Sequence, residues 1–245
     1  MSLEAFIGLD DTDTLDHPGT NHLARHLVRK FGSRERPSMV TRHQLLKDPR
    51  VPCTRMNGCV AVRMSSRLSS IDELRDAIRA EMLGWCPAGS DPGLCVTTNV
   101  ADEVTAFGRR CQTEFVTQAE ARSLAGRVGL QLEGLGGTQD GVIGALAALG
   151  LHATGDDGRV VHFGHCESEP FEIDGMQTAA TVFERGVSQI VRHDDASAVV
   201  TGVIDLGKRL RPNLRSGGVT LFVLPIDRTT TNLPTGVDWQ AVRVV

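Results

Sequence analysis

Asp10, Asp11 and Asp13 place three carboxylates within four residues, with Thr12 between the last two. Carboxylates this close repel one another unless a cation or a basic partner neutralises them, which makes the cluster a candidate Mg²⁺ site for phosphate chemistry. Magnesium suits such a site because it takes a few carboxylates and completes its shell with phosphate oxygens. The competing reading is a solvated turn, since Asp and Thr are also good turn and cap formers. The apolar run Glu4-Ala-Phe-Ile-Gly-Leu9 just before the cluster favours function, because a buried strand fixes carboxylates that an open loop would leave mobile.

Three other groups could serve the same chemistry. Thr20 stands where a helix N-terminus would face the acidic loop, so its hydroxyl either meets a γ-phosphate beside free backbone N–H groups or caps the helix. Thr54-Arg-Met-Asn-Gly58 offers a guanidinium, an amide and a flexible glycine, so Arg55, Asn57 and Gly58 are phosphate-site candidates, against an ordinary Asn-Gly turn. Gly134-Leu-Gly-Gly-Thr-Gln-Asp-Gly141 leads into an apolar helix and is similar to loops that cradle anions, with Gly137 and Gly141 as the contacts. No G-K-[ST] follows, so it is not a P-loop, and Gly141 and Gly144 could equally permit close helix packing. His17, His22 and His26 lack the H-E-x-x-H glutamate and read as surface residues.

The elements that must position these groups follow from periodicity. The run ending at Leu9 predicts a strand carrying the aspartates to its C-terminal edge, where ligands bind in open α/β sheets. Leu23, Leu27, Val28 and Phe31 predict a helix capped by Thr20 or Asn21 and stopped by Gly32. Strands are expected at Cys59–Met64 and Leu94–Thr98, with a helix opened by the capping box Ser70-Ile-Asp-Glu73 between them. A second box, Thr117-Gln-Ala-Glu120, opens a helix to about Val128, and another helix spans Val142–Leu149. The last third predicts strands at Val160–Phe163, Gln189–Arg192, Ala198–Ile204, Val219–Leu224 and Ala241–Val245, and a helix over Met176–Arg185. A domain boundary is expected near residue 115, giving units 1–115 and 116–245.

The chain as a whole is ordinary globular material: 245 residues, 40% apolar and 23% charged, enough to bury a sizeable core without staples. A formal charge of −4 argues against whole-protein attraction to nucleic acid or anionic membrane. Only Lys30, Lys47 and Lys208 are lysines; the arginine excess reflects codon bias or a taste for bidentate phosphate contacts. The six cysteines show no C-x-x-C pair and read as reduced thiols. No signal peptide and no span of 18 apolar residues stands out, so the expected location is the cytoplasm, away from membranes.

Two resemblances bear on the acidic cluster. Asp11-Thr-Asp-Thr-Leu15 resembles the D-x-D-x-T opening of haloacid dehalogenase-like phosphatases, which would make Asp11 a nucleophile and Asp13 a general acid/base. Leu15 departs from that motif, and no lysine lies between Lys47 and Lys208 to precede Asp156-Asp157 as the late acidic pair. The wider pattern Ile7-Gly-Leu-Asp-Asp-Thr-Asp13, Thr20, Thr54-Arg-Met-Asn-Gly58, Pro92-Gly93 and Gly141-Val-Ile-Gly-Ala-Leu-Ala-Ala-Leu-Gly150 resembles another family. It is similar to the archaeal isoleucine-tRNA 2-agmatinylcytidine synthetases, TiaS, which attach agmatine to an anticodon cytidine with ATP activating the base.

That resemblance implies an α/β (α+β) protein: a kinase-like α/β domain over 1–115 followed by a ferredoxin-like α+β domain over 116–245. It implies that Asp10, Asp11 and Asp13 handle Mg²⁺ and ATP, and that Thr20 matches a threonine the family autophosphorylates. Arg55, Asn57 and Gly58 would stand near the phosphates. The family's OB-fold and zinc-ribbon domains have no counterpart in this sequence, so tRNA is expected as a partner only with a separate binding chain. The function expected is therefore an ATP/Mg²⁺-dependent phosphotransferase or synthetase acting on a small or nucleotide acceptor. The alternatives are a Mg²⁺-dependent phosphohydrolase and a non-catalytic nucleotide-binding module or partner subunit.

Overall fold

The computed structural model describes residues 3–51, 53, 56–167, 171–227 and 235–244. The first half runs β1 (Leu3–Asp10), α1 (Thr20–Phe31), β2 (Ser38–Gln44), β3 (Gly58–Ser66), α2 (Ile71–Trp85) and β4 (Gly93–Thr97). These four strands lie side by side in the order β4-β1-β3-β2, each antiparallel to its neighbour. Strand order and helix placement define the split βαβ, ferredoxin-like topology. It occupies residues 3–97. A strand, a loop and an amphipathic helix open this topology, and the same pattern also suits a parallel α/β unit.

Local signals explain the helices. Leu23, Ala24, Leu27 and Val28 form the buried stripe of α1, and Arg29 and Lys30 in its last turn complement the helix dipole. Gly19, not Thr20 or Asn21, is the N-cap, and no side chain caps this helix. The Ser70 hydroxyl accepts from Glu73 N–H at the start of α2. Next come α3 (Asp102–Thr113), α4 (Gln118–Arg127), β5 (Leu132–Gly134) and α5 (Gly141–Ala153). Helix α4 opens with both bonds of the Thr117–Glu120 capping box. Helix α5 runs through Gly150 instead of stopping there.

Because helices cover both faces, the first four strands are buried on both sides. Ile7 and Leu9 of β1 join the cluster under α1 and α2, with Val60, Val62 and Met64 of β3. Cys59 and Ala61 point the other way, into a cluster with Val104 and Phe107 of α3 and Leu146 and Leu149 of α5. Packing thus crosses residue 115: α4 and α5 close the second face of the first-half sheet. Contact there is backbone to backbone. A Cβ added at Gly8 would lie 1.9 Å from the Ala145 carbonyl oxygen, and one at Gly93 2.0 Å from that of Gly141.

The remaining elements are β6 (Arg159–Gly164), β7 (Met176–Thr178), α6 (Ala179–Glu184), β8 (Gln189–Arg192), β9 (Val203–Asp205), β10 (Asn213–Arg215), β11 (Gly218–Pro225) and β12 (Trp239–Ala241). Strand β6 pairs antiparallel with β2, with a bulge at Val40/Thr41, and so joins the halves into one sheet among the described residues. A third core, containing Ile190, Leu214, Leu221 and Val223, lies under these strands. The expected strand Ala198–Ile204 shrinks to β9, Met176–Arg185 divides into β7 and α6, and only Ala241 of Ala241–Val245 is in β12. Residue 245 lies outside the described residues.

Candidate functional site

Strand pairing assembles the acidic end of the site. Asp10, the last residue of β1, pairs with Gly93 at the start of β4, which brings Asp91 alongside the cluster. Gly93 pairs in turn with Gly134 of β5, so the loop carrying Asp140 returns to the same edge. Asp10, Asp11, Asp13, Asp91 and Asp140 all border one cleft of about 1240 Å³, which Thr20, Asn21, Arg42, Asn57, Gly58, Gly141 and Gly144 also line.

These carboxylates are held in a state that ordinary solvent exposure would not produce. Burial, then the Asp11 and Asp13 charges, pushes the Asp10 carboxyl well above the usual range. Asp11 is raised to about 6, first by burial and then by Asp91, Asp13 and Asp140. Asp11 also adopts φ +49°, a left-handed conformation that costs energy in a non-glycine residue and is concentrated at functional sites. Arg42 is the basic residue that draws Asp10 back down.

A chain of hydroxyls runs beside them. The buried Thr12 donates from Oγ1 to Thr20 Oγ1 at 3.1 Å, and Thr20 Oγ1 donates to Asp13 Oδ1 at 3.4 Å. The Thr20 hydroxyl is therefore aimed at the acidic loop, not back at its own helix. Next to it the buried Oδ1 of Asn21 has no hydrogen-bond partner.

The other expected contacts fare differently. Arg55 and Thr54 lie outside the described residues. Asn57 and Gly58 line the cleft, but the Asn57 amide donates to Leu46 O at 2.8 Å and serves its own loop. Gly137, at φ +51°, wraps tightly around Asp91: a Cβ there would lie 1.6 Å from Asp91 Oδ1. Gly141 N–H donates to Asp91 O, and the N–H groups of Val142 and Ile143 are taken by Gln139 O and Asp140 O. The N–H groups of Gly141, Val142 and Ile143 are thus engaged within the protein, and Gly137 is required by its close approach to Asp91. Gly144 is likewise required by close approach, since a Cβ there would lie 1.8 Å from Asp10 Oδ2.

Among the described residues, no three His, Cys, Asp or Glu side chains are arranged as a ready-made metal cage. The acidic end still fits magnesium, which needs only one or two protein carboxylates when phosphates supply other ligands. His26 is engaged by Glu81 at 2.8 Å. Asp156 and Asp157, the acidic pair of the phosphatase resemblance, do not border the cleft. Asp156 accepts from Ser216 N–H, and Asp157 accepts from Gln112 and bonds His43 Nδ1 at 2.6 Å. His43 Nε2 meets Thr41 Oγ1 at 2.8 Å, which in turn meets His152 Nδ1 at 2.8 Å. This second polar network is buried at Thr41, His43 and His152 and reaches the surface at Asp157, the one member that the sequence singles out.

The fold and site define an α+β protein whose ferredoxin-like sheet delivers a carboxylate cluster to one end of a deep cleft. No family model and no curated protein matches the sequence. Solved structures do. A complex of TiaS with an isoleucine tRNA and ATP is similar at 22% identity, covering 60% of this chain and 36% of that one, with a TM-score of 0.50. A tRNA fluorescent labeling enzyme is similar at 24% identity with the same coverages and TM-score. The chain therefore carries a TiaS-like core fold, and it spans about a third of the length of those proteins.

Proposed function

We propose that this protein is an ATP- and Mg²⁺-dependent phosphotransferase or synthetase, working in the cytoplasm on a small or nucleotide acceptor bound in the cleft. The observation that carries the reading is the convergence of Asp10, Asp11, Asp13, Asp91 and Asp140 on one cleft beside the Thr12–Thr20–Asp13 hydroxyl chain. Packing desolvated carboxylates together costs stability, and a site keeps that cost where a cation repays it. The similar structure that holds tRNA and ATP supports ATP as the first nucleotide to test.

Asp10, Asp11 and Asp13 would hold Mg²⁺, which when bound neutralises phosphate charge during transfer. The residues of the chain do the rest. Asp13 orients the Thr20 hydroxyl and is placed to take its proton, while Thr12 fixes the oxygen's position from the other side. Arg42 supplies positive charge at the cleft wall, in a chain whose acidic end otherwise repels phosphate. We assign the site to residues 1–115 together with α5, and residues beyond β6 to a second unit.

Two measurements test this. Calorimetry with ATP and Mg²⁺ should show binding that disappears when Mg²⁺ is removed; no binding at all rejects the reading. With γ-labelled ATP, wild type and Thr20→Ser should become labelled and Thr20→Ala should not. Equal labelling of wild type and Thr20→Ala rejects Thr20 as a relay, and binding without turnover identifies a nucleotide-binding module instead of an enzyme.

A further inference from the structure

Cationic side chains gather on the opposite half of the molecule. Lys208, Arg209, Arg211 and Arg243 line a pocket of about 410 Å³ whose apolar floor is Leu206, Leu221, Ala241 and Val242. Its two walls come from different parts of the chain. The loop between β9 and β10 supplies residues 206–211, and the segment after β12 is held against β11 by Val242 N–H donating to Phe222 O.

Among the described residues, the pocket's cations have few carboxylate partners. Among the described residues, Lys208, Arg211 and Arg243 make no ion pair. Arg209 approaches Glu172 only at 3.9 Å, and that carboxylate is already bound to Arg25 at 3.1 Å. Behind the pocket, Arg159 pairs in register with Asn213, two residues after Arg211. Burial and then the charges of Arg42, Arg211, Arg243 and Arg209 pull its guanidinium down to about 10. In a chain with net charge −4, such an unshared positive concentration is a local feature that calls for an anion.

We propose that this pocket binds a compact phosphate-bearing ligand, of diphosphate or phosphomonoester size, at a site separate from the acidic cleft. Arginine forks around a small concavity suit bidentate contact with phosphate oxygens, and the apolar floor suits the organic part of a phosphate ester. The volume is in the range of small-ligand sites.

The probe is inorganic pyrophosphate, titrated by calorimetry in EDTA so that the acidic cleft, without a cation, repels it. Wild type and Asp11→Asn should bind alike, which separates this site from the proposed nucleotide cleft. The double variant Arg211→Gln/Arg243→Gln should bind about tenfold or more weakly, since it removes two charge-assisted contacts. Its thermal midpoint should be unchanged or higher, because removing mutually repelling charges costs the fold nothing, and that confirms a folded variant. Unchanged affinity in the double variant, or no wild-type binding at millimolar pyrophosphate, overturns the proposal. So does a single-stranded oligonucleotide that binds at least tenfold more tightly than pyrophosphate through the same two arginines, which would make the surface a track for an extended polyanion.

Discussion

The acidic cleft and the Asp157–His43–Thr41–His152 network lie in the same half of the sheet and are both built from groups that dislike burial. They are resolved in opposite ways. Asp157 lies partly buried, yet hydrogen bonds from His43 and Gln112 outweigh burial and bring its carboxyl below the usual value. Asp10 and Asp11 are surrounded by further carboxylates, and both are raised. A buried polar group that finds partners inside the protein is structural; one left wanting a partner points to something from outside. By that criterion the enclosed network holds β2, α5 and the 154–158 turn together, and the cleft carboxylates are the groups that the proposed cation would neutralise.

The sharpest way to break this contrast is to neutralise one cleft carboxylate. Asp11→Asn keeps the shape and tolerates the left-handed backbone, so it should weaken Mg²⁺-dependent ATP binding by about a hundredfold, the upper range for one charge-assisted contact. Without divalent cations the same variant should melt at a higher temperature than wild type. A lower midpoint, with binding intact, would show that Asp11 is structural.

In the enclosed network the sign should reverse. Asp157→Ala leaves His43 Nδ1 without its partner in a fully buried ring, and should cost about 2 kcal/mol in denaturant unfolding while leaving ATP affinity unchanged. A neutral result would remove the distinction between the two regions.

The smallest test is pH. Burial, helped by the His43 and Arg63 charges, lowers the His152 imidazole from its ordinary value to about 3. As pH falls below about 6.5, the unfolded chain takes up a proton that folded His152 refuses, so this residue's contribution to stability falls with pH by about 1.4 kcal/mol per unit until pH nears its folded value. The acid-side slope of wild type should therefore exceed that of His152→Gln. Identical slopes would place the protonation elsewhere.

How much of this was legible beforehand depends on how local each signal is. The strand into Asp10, the α1 stripe and the Thr117–Glu120 capping box are written in residues a few positions apart, and all form, whereas of the Ser70–Glu73 box only the bond from Glu73 N–H to the Ser70 hydroxyl is present. Strand β2 was passed over because Thr41 and His43 are buried yet polar, satisfied by His152 and Asp157 more than 100 positions away. Asp91 and Asp140 carry no local mark and join the cluster only through the β1–β4 and β4–β5 registers. The glycine loop before α5 is ambiguous in sequence for a physical reason: a ligand cradle and a close backbone crossing both demand glycine, and the crossing is seen where Gly141 N–H donates to Asp91 O and Gly93 packs on Gly141.

That crossing also limits how the protein can move. With Gly8 against Ala145, Gly93 against Gly141 and Gly144 against Asp10, a slide of α5 along β1 by a single residue would drive side chains into backbone. Helix and strand are locked like a dovetail joint, and the Asp10 carboxylate is part of the joint. Adjustment around the cleft then falls to its loops, among them the stretch between Asp11 and Gly19 with its left-handed residue at Asp11, while β1 and α5 stay in register.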